Sequence, residues 1–178
     1  MNKNNIYTFI LFITTISCNA YNIDDLKHFH DRNNCENCDL INADLNGDSN
    51  CNLKSSLLIG TNLSSHFDFS NFDSANLKNA NFKTACRLCS FDNADLSDAS
   101  FGKNDLTKSS FKNANFTNAS LYESNLSNAD FTDANFTNAN LRGVILINSN
   151  ISDEQLSQAK DICDAVLSNG KYNKCESK

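Results

Sequence analysis

Large apolar residues recur every five positions through the second half of the chain, at Phe91, Leu96, Phe101, Leu106, Phe111, Phe116, Leu121, Leu126, Phe131, Phe136, Leu141, Leu146, Ile151 and Leu156. Two residues before most of them stands something small: Ala94, Ala99, Ser109, Ala114, Ala119, Ser124, Ala129, Ala134 or Ala139. A helix would repeat every 3.6 residues or so and a strand every two. Small and large residues two apart share one face of an extended chain. The next position on that face, however, holds Asp98, Lys103, Lys108, Asn113, Asn118, Glu123, Asn128 or Asp133. A straight strand would bury those polar groups unpaired, at about 1–3 kcal/mol each. The pattern therefore predicts one corner per repeat. Repeated corners of one hand give an all-β solenoid whose coils stack about 4.7–4.9 Å apart and satisfy each other's backbone.

Upstream the spacing slips. Leu40 and Leu45 are in register, Leu53, Leu58 and Leu63 follow an eight-residue step, Phe72, Leu77 and Phe82 a nine-residue step, and Phe91 another nine. Bulges or loops are expected near Gly47–Asn50, His66–Phe69 and Arg87–Leu88. A stacked array needs polar caps at its ends. "YNIDDLKHFHDR" offers Asn22 and Asp25 as cap residues and Ile23, Leu26 and Phe29 as an apolar stripe. At the other end Ser152 and Gln155 form a capping box, Leu156, Ala159, Cys163, Val166 and Leu167 follow at helical spacing, and Gly170 stands where a helix would stop. The expected order is an N-terminal cap over 21–37, a solenoid over 38–157, and a C-terminal helical cap and tail over 158–178.

The units "ANFTN", "ADLSD", "ADFTD" and "ANLRG" resemble the A(D/N)LXX consensus of the pentapeptide-repeat family. That resemblance spans roughly residues 38 to 157 and implies a right-handed quadrilateral β-helix with four repeats per turn, which the short N-terminal and C-terminal helical caps read above would close. "CENCDLINADL" is similar to the opening segment of many members, and "ICDAVLSNGKYNKC" to their closing Cys–loop–Cys segment. With four repeats per turn, residues 20 apart stack: Lys103 beside Glu123, Asp92 beside Lys112, Asn118 over Asn138 and Asn93 over Asn113.

Residues 1–20 read as an export signal, with Lys3 ahead of the apolar run Ile6–Ser17 and "CNA" as a small-x-small cleavage pattern. This predicts an exported, periplasmic or secreted protein, where disulfides are permitted. The rival reading is a lipid anchor to a membrane at Cys18, although Thr15 stands where a lipobox has Leu. Eight cysteines less Cys18 leave seven, so at least one thiol is free or pairs between chains. Cys163 and Cys175 bracket a short loop and are the leading disulfide candidate, while Cys35 with Cys38 and Cys86 with Cys89 are two further candidate pairs. Cys38, Cys51 and Cys89 fall in the small inward slot. The two Cys-x-x-Cys pairs lie more than two coils apart, so they do not share an ion. A local site from His28 or His30 with Cys35 and Cys38 is weakened because a helix turns the two histidines to different sides. No metal or cofactor is assigned, and nothing assembles a catalytic centre: there is no Gly-rich phosphate loop or G-x-S-x-G, and His66 stands alone.

The net charge is −6, with no basic patch to follow a phosphate backbone. The leading expectation is a non-enzymatic exported solenoid, a structural or protein-binding scaffold whose partner is a protein or cell-surface macromolecule, not nucleic acid. The alternative is an acidic DNA mimic, because some members of the family bind DNA topoisomerases. Export and the interrupting Lys103, Lys108 and Lys112 count against it. Ice binding needs ranks of Thr, and only Thr117 and Thr137 align at a 20-residue interval.

Overall fold

A computed structural model describes residues 21–175; residues 1–20, read above as an export signal and including Cys18, lie outside the described residues. One pentad, Asn115–Ala119, shows why the chain bends. Asn118 has φ +60°, the left-handed conformation, and Ala119 N–H donates to Phe116 O at 2.9 Å, closing a tight turn. The same conformation recurs at Asp98, Lys103, Lys108, Asn113, Glu123, Asn128 and Asp133. These are the polar positions that a straight strand would have driven inward.

The remaining donors of that pentad are all used. Asn115 N–H reaches back to Ala94 O at 3.0 Å, whereas Phe116 and Asn118 N–H reach forward to Asn135 O and Thr137 O at 2.8 and 3.0 Å. Thr117 N–H, the last of the five, donates to the Asn115 side chain at 3.1 Å. Asn or Asp therefore precedes the bulky residue because its side chain serves a donor that no neighbouring coil can reach. Asp95, Asp105, Asn125, Asp130, Asn135 and Asn140 do the same for Ser97, Thr107, Ser127, Thr132, Thr137 and Arg142.

A left-handed corner favours Asn and Gly and penalises branching at Cβ. Asn128 is exposed at such a corner with φ +60°. Asn128→Val is expected to cost about 1–2 kcal/mol, and Asn128→Gly little, in equilibrium urea unfolding. Equal losses for both variants would contradict the corner assignment.

Successive coils pair in parallel, and their length grows along the chain. Asn34 bridges Asn52, Asn52 bridges Asn71, Ser90 bridges Ser110 and Asn140 bridges Asp161, separations of 18, 19, 20 and 21 residues. Three short strands, β1 (Asp44–Gly47), β2 (Asn62–Ser65) and β3 (Asn81–Phe82), form the one continuous sheet of this stack, in the order β1-β2-β3. Regular 20-residue bridging runs from Ser90 to Ile145, which is four pentads per coil.

Every bulky residue of the five-residue series from Phe91 to Leu146 is fully buried, and Ile151 and Leu156 are buried too. Aromatic rings stack along the axis: Phe72, Phe91, Phe111 and Phe131 in one column at 4.8, 5.0 and 5.4 Å, and Phe116 on Phe136 at 4.9 Å in another. The small slots Ala94, Ala99, Ala114, Ala119, Ala129, Ala134 and Ala139 are buried beside them. Where Ser replaces Ala, its hydroxyl works between coils. Ser109 donates to Cys86 O at 2.8 Å and accepts from Cys89 N–H at 3.1 Å, and Ser124 serves Phe101 O and Asn104 N–H in the same way.

The sequence slips are shortened sides more than loops. β1 and β2 run straight for four residues each. The nine-residue steps hide two core members that the five-residue count passes over, Phe67 and Cys86, both fully buried. In the first coil the corresponding position is vacant, and the Phe67 ring fills it: a Cβ on Gly47 would lie 2.3 Å from that ring.

Helix α1 (Ile23–Arg32) begins at Asn22, whose side chain accepts from Asp24 and Asp25 N–H. Its Phe29 is buried and stacks on Phe67 at 6.4 Å, and Asp25 accepts from Asp39 N–H at 2.8 Å. At the other end, α2 (Asp153–Gln158) carries the Ser152–Gln155 capping box. Here the expected long C-terminal helix is corrected. The helix stops at Gln158, Ala159 is extended, and residues 160–166 join the stack through Lys160 N–H to Ala139 O and Leu146 N–H to Val166 O. The open edge of the preceding coil offers more backbone partners than an isolated helix would, and it overrides the helical spacing of Ala159, Cys163, Val166 and Leu167. The described residues close with an antiparallel hairpin of β4 (Ala165–Val166) and β5 (Tyr172–Asn173).

Candidate functional surface

The coil turns three residues of each pentad outward, Asn115, Thr117 and Asn118 in the pentad above, so the exterior is a lattice of short polar side chains. Amide ladders run along it: Asn138 donates to Asn118 at 2.6 Å, Asn118 to Asp98 at 3.1 Å, and Asn135 to Asn115 at 3.3 Å. Asn93 and Asn113 stack by coil register without an amide–amide bond. Lys103 pairs with Glu123 at 3.4 Å, whereas Lys112 takes Asp130 at 3.4 Å. The expected Asp92–Lys112 ion pair is thus corrected. The Asp92 carboxylate instead accepts from Ser110 and from the Lys112 backbone N–H, satisfying donors between its own coil and the next.

Three carboxylates, Asp68, Glu123 and Asp130, are held below their ordinary range. The Arg87 guanidinium forks onto Asp68, with Nε at 3.0 Å, and Arg87 N–H adds a third bond, holding the Asp68 carboxyl below its ordinary range. The Asp68 side chain is 9% exposed, so this pair ties two coils together from partly inside. Asp130 is lowered to about 2, first by the Thr132 hydroxyl at 2.7 Å, with burial opposing and Thr132 N–H, the Asn150 amide and Lys112 adding. A carboxyl lowered by folding contributes stability above its unfolded value near pH 4 and loses it as pH falls through about 2. The stability difference between wild type and Asp130→Asn should therefore shrink between pH 4 and 2 in thermal melts. A difference independent of pH would refute the assignment.

One corner departs from the polar lattice. Phe69 and Leu88 occupy the left-handed position of stacked coils, with φ +61° and +56°, and are 56% and 46% exposed. Bulky apolar residues gain nothing structurally from that conformation or from water. The ion pair Asp68–Arg87 lies immediately before them in each coil. The five-residue count locates the positions but not their exposure; the signal available in sequence was an apolar residue in the slot that elsewhere holds Asn, Asp, Lys or Glu.

Three disulfides join Cys35 to Cys38, Cys86 to Cys89 and Cys163 to Cys175, leaving Cys51 as the free cysteine among the described residues. The first two span corner turns and link an inward bulky position to the next small slot. Bonded in this way, Cys35 and Cys38 have no thiols to offer His28 or His30. Cys51 is buried, its S–H donates to Asp48 O at 2.7 Å, and burial pushes the thiol up.

An open groove of about 550 Å³ lies beside α2, lined by Thr132, Asn135, Asn150, Gln155 and Gln158 among others. Its amides are committed to the backbone edge beneath: Gln155 donates to Phe131 O and Ala134 O at 2.7 and 2.9 Å, and Gln158 accepts from Phe136 N–H at 3.1 Å. The groove seals a sheet edge. No helix among the described residues is long and apolar enough to cross a membrane.

A core column of Phe and Leu, parallel coils and an outward polar lattice define a β-solenoid repeat fold. Residues 86–160 match the family described as pentapeptide repeat region. No curated protein matches it. Among solved structures it is similar to Rfr23 from the cyanobacterium Cyanothece 51142, at 20% identity over 81% of this chain and 97% of that one, with TM-score 0.45. HetL, involved in heterocyst differentiation regulation in Nostoc sp. strain PCC 7120, matches at 20% identity over 78% of this chain and 72% of that one, with TM-score 0.39. A pentapeptide repeat protein of the Arabidopsis thaliana thylakoid lumen matches at 23% identity over 70% of this chain and 84% of that one, with TM-score 0.30.

Proposed function

We propose that this protein is a non-enzymatic, exported binding scaffold, a right-handed quadrilateral β-helix capped by α1 and the α2 region, which docks a protein partner on the Phe69–Leu88 corner. The observation that carries this reading is the pairing of unfavourable backbone with exposed apolar bulk at two stacked corners. Strain kept where it does not help the fold is a mark of a working surface. The surrounding staples support a rigid corner: the Cys86–Cys89 disulfide closes the turn at Leu88, and Asp68–Arg87 joins the two coils. Export rests on the sequence of residues 1–20, and three disulfides suit an oxidising compartment. The DNA-mimic reading lacks a continuous acidic stripe, since Asp98, Glu123, Asp130, Asp161 and Asp164 each pair with Lys or Arg.

The test is the double variant Phe69→Asn/Leu88→Asn. Asn suits the left-handed corner, so the variant should be at least as stable as wild type, yet lose the proteins that cross-link to wild type in expressing cells. An unchanged set of cross-linked partners would contradict the reading. Mass determination of the mature N-terminus decides between cleavage and lipidation at Cys18 and tests export.

A further inference from the structure

We propose that the C-terminal hairpin holds a redox-gated site for a borderline or soft divalent cation such as Zn²⁺, formed by the Asp161 carboxylate and the Cys163 and Cys175 thiolates once a dithiol reductant has exchanged with their disulfide, leaving two thiols here and a disulfide on the reductant. Asp161, Cys163 and Cys175 bring their ligand atoms within 4.8 Å of one another, the one such trio of metal-binding side chains among the described residues.

The backbone, independently of the sulfur–sulfur bond, sets this arrangement. Ala165 pairs with Asn173 and Val166 with Tyr172; the same antiparallel register carried outward sets Cys163 directly opposite Cys175. Their Cα atoms are 5.1 Å apart. Asp164 N–H donates to Asn173 O at 2.8 Å and Leu167 N–H to Lys171 O at 2.9 Å, so the hairpin keeps the two sulfurs adjacent when the bond between them is cut. Asp161 is aimed from the other side: Cys163 N–H donates to its Oδ1 at 2.8 Å, an outer bond of the kind that orients a ligating carboxylate.

Charge and access suit a cation. Two thiolates and one carboxylate around a divalent ion leave one negative charge. Arg142 lies 3.8 Å from Asp161 and 3.0 Å from Asp164, positioned to balance it. Two sulfurs and one oxygen are a donor set for zinc, and the trio is only partly buried, which leaves a fourth position to water. The Cys35–Cys38 and Cys86–Cys89 pairs, in contrast, are buried in the core cluster, and no carboxylate joins them. The hairpin thus has two alternative clamps on the same two residues, a disulfide when oxidised and a bound metal when reduced.

The test uses the full chain reduced with a phosphine. The phosphine takes an oxygen atom from water to become the phosphine oxide, and the disulfide becomes two thiols. Co²⁺ is then added as the spectroscopic probe; binding releases both thiol protons to buffer. The expected result is a near-ultraviolet thiolate-to-cobalt band that saturates at about one ion per chain and is bleached by Zn²⁺, with none in the oxidised protein. Asp161→Asn should keep the band but weaken binding about tenfold or more. Cys163→Ser/Cys175→Ser should abolish it while Cys35, Cys38, Cys86 and Cys89 remain. A band of equal strength in that double variant overturns the proposal. So does a reduced wild type without the band, folded or not, because the hairpin is required to hold the thiols in place.

Discussion

Phe111→Ala will lower the unfolding free energy by about 3–5 kcal/mol, measured by urea denaturation with matched m-values. Phe111 is fully buried and stacks between Phe91 at 5.0 Å and Phe131 at 5.4 Å, and its edge meets Phe116 at 5.2 Å. Truncation removes the ring and leaves a void that the coils above and below cannot close, because their parallel bridges fix the spacing: Phe91 N–H to Ser110 O at 2.8 Å and Phe111 N–H to Asp130 O at 2.8 Å. The loss should be larger than for truncating Ile151, which sits near the end of the stack and is 6% exposed. Equal losses at the two positions would mean that the column does not act as a packed core.

Ala114→Leu is the second large effect, a loss of about 1–3 kcal/mol from overpacking, read by the same unfolding curves. Ala114 is 1% exposed and closes the turn by donating its N–H to Phe111 O at 3.1 Å, so a branched side chain has nowhere to go. Ala114→Ser should be nearly neutral. The chain itself places Ser at the equivalent Ser109 and Ser124, where the hydroxyl finds a carbonyl and an N–H of the coil below. If Leu were tolerated as well as Ser, the small slot would not be a packing constraint.

Most of this architecture is legible from residue order. The alternation of Phe111, Ala114 and Phe116 names the inward face, and the polar residue between them names the corner, because a charge such as Glu123 has no place in a thin apolar shaft. The exported character assigned to residues 1–20 lies outside the described structure. Other features depend on information that a five-residue count does not carry. Phe67 and Cys86 sit at shortened sides, where the coil length drops to 18 or 19 residues, and only the partner coil reveals that Phe67 fills the space over Gly47. The segment after Gln158 has helical spacing, yet it is captured by the exposed edge at Ala139 and Leu146, a long-range competition invisible in a local window. Lys112 chooses Asp130 over Asp92 because the Asp92 carboxylate is already occupied by Ser110 and a backbone donor. The Phe69–Leu88 corner is only half legible for a related reason: the sequence marks an irregular stretch there, but exposure and left-handed backbone are properties of the stacked coils.

The central claim is that residues 20 apart in sequence lie one coil apart in space. Proton–proton Overhauser contacts among specifically labelled phenylalanine rings measure this directly. Cross-peaks linking Phe91 to Phe111 and Phe111 to Phe131, whose centroids are 5.0 and 5.4 Å apart, are the predicted result. The coil also brings Phe116 within 6.2 Å of Phe131 and 6.4 Å of Phe101, so those cross-peaks do not discriminate; absence of the Phe91–Phe111 and Phe111–Phe131 cross-peaks while these persist would contradict it.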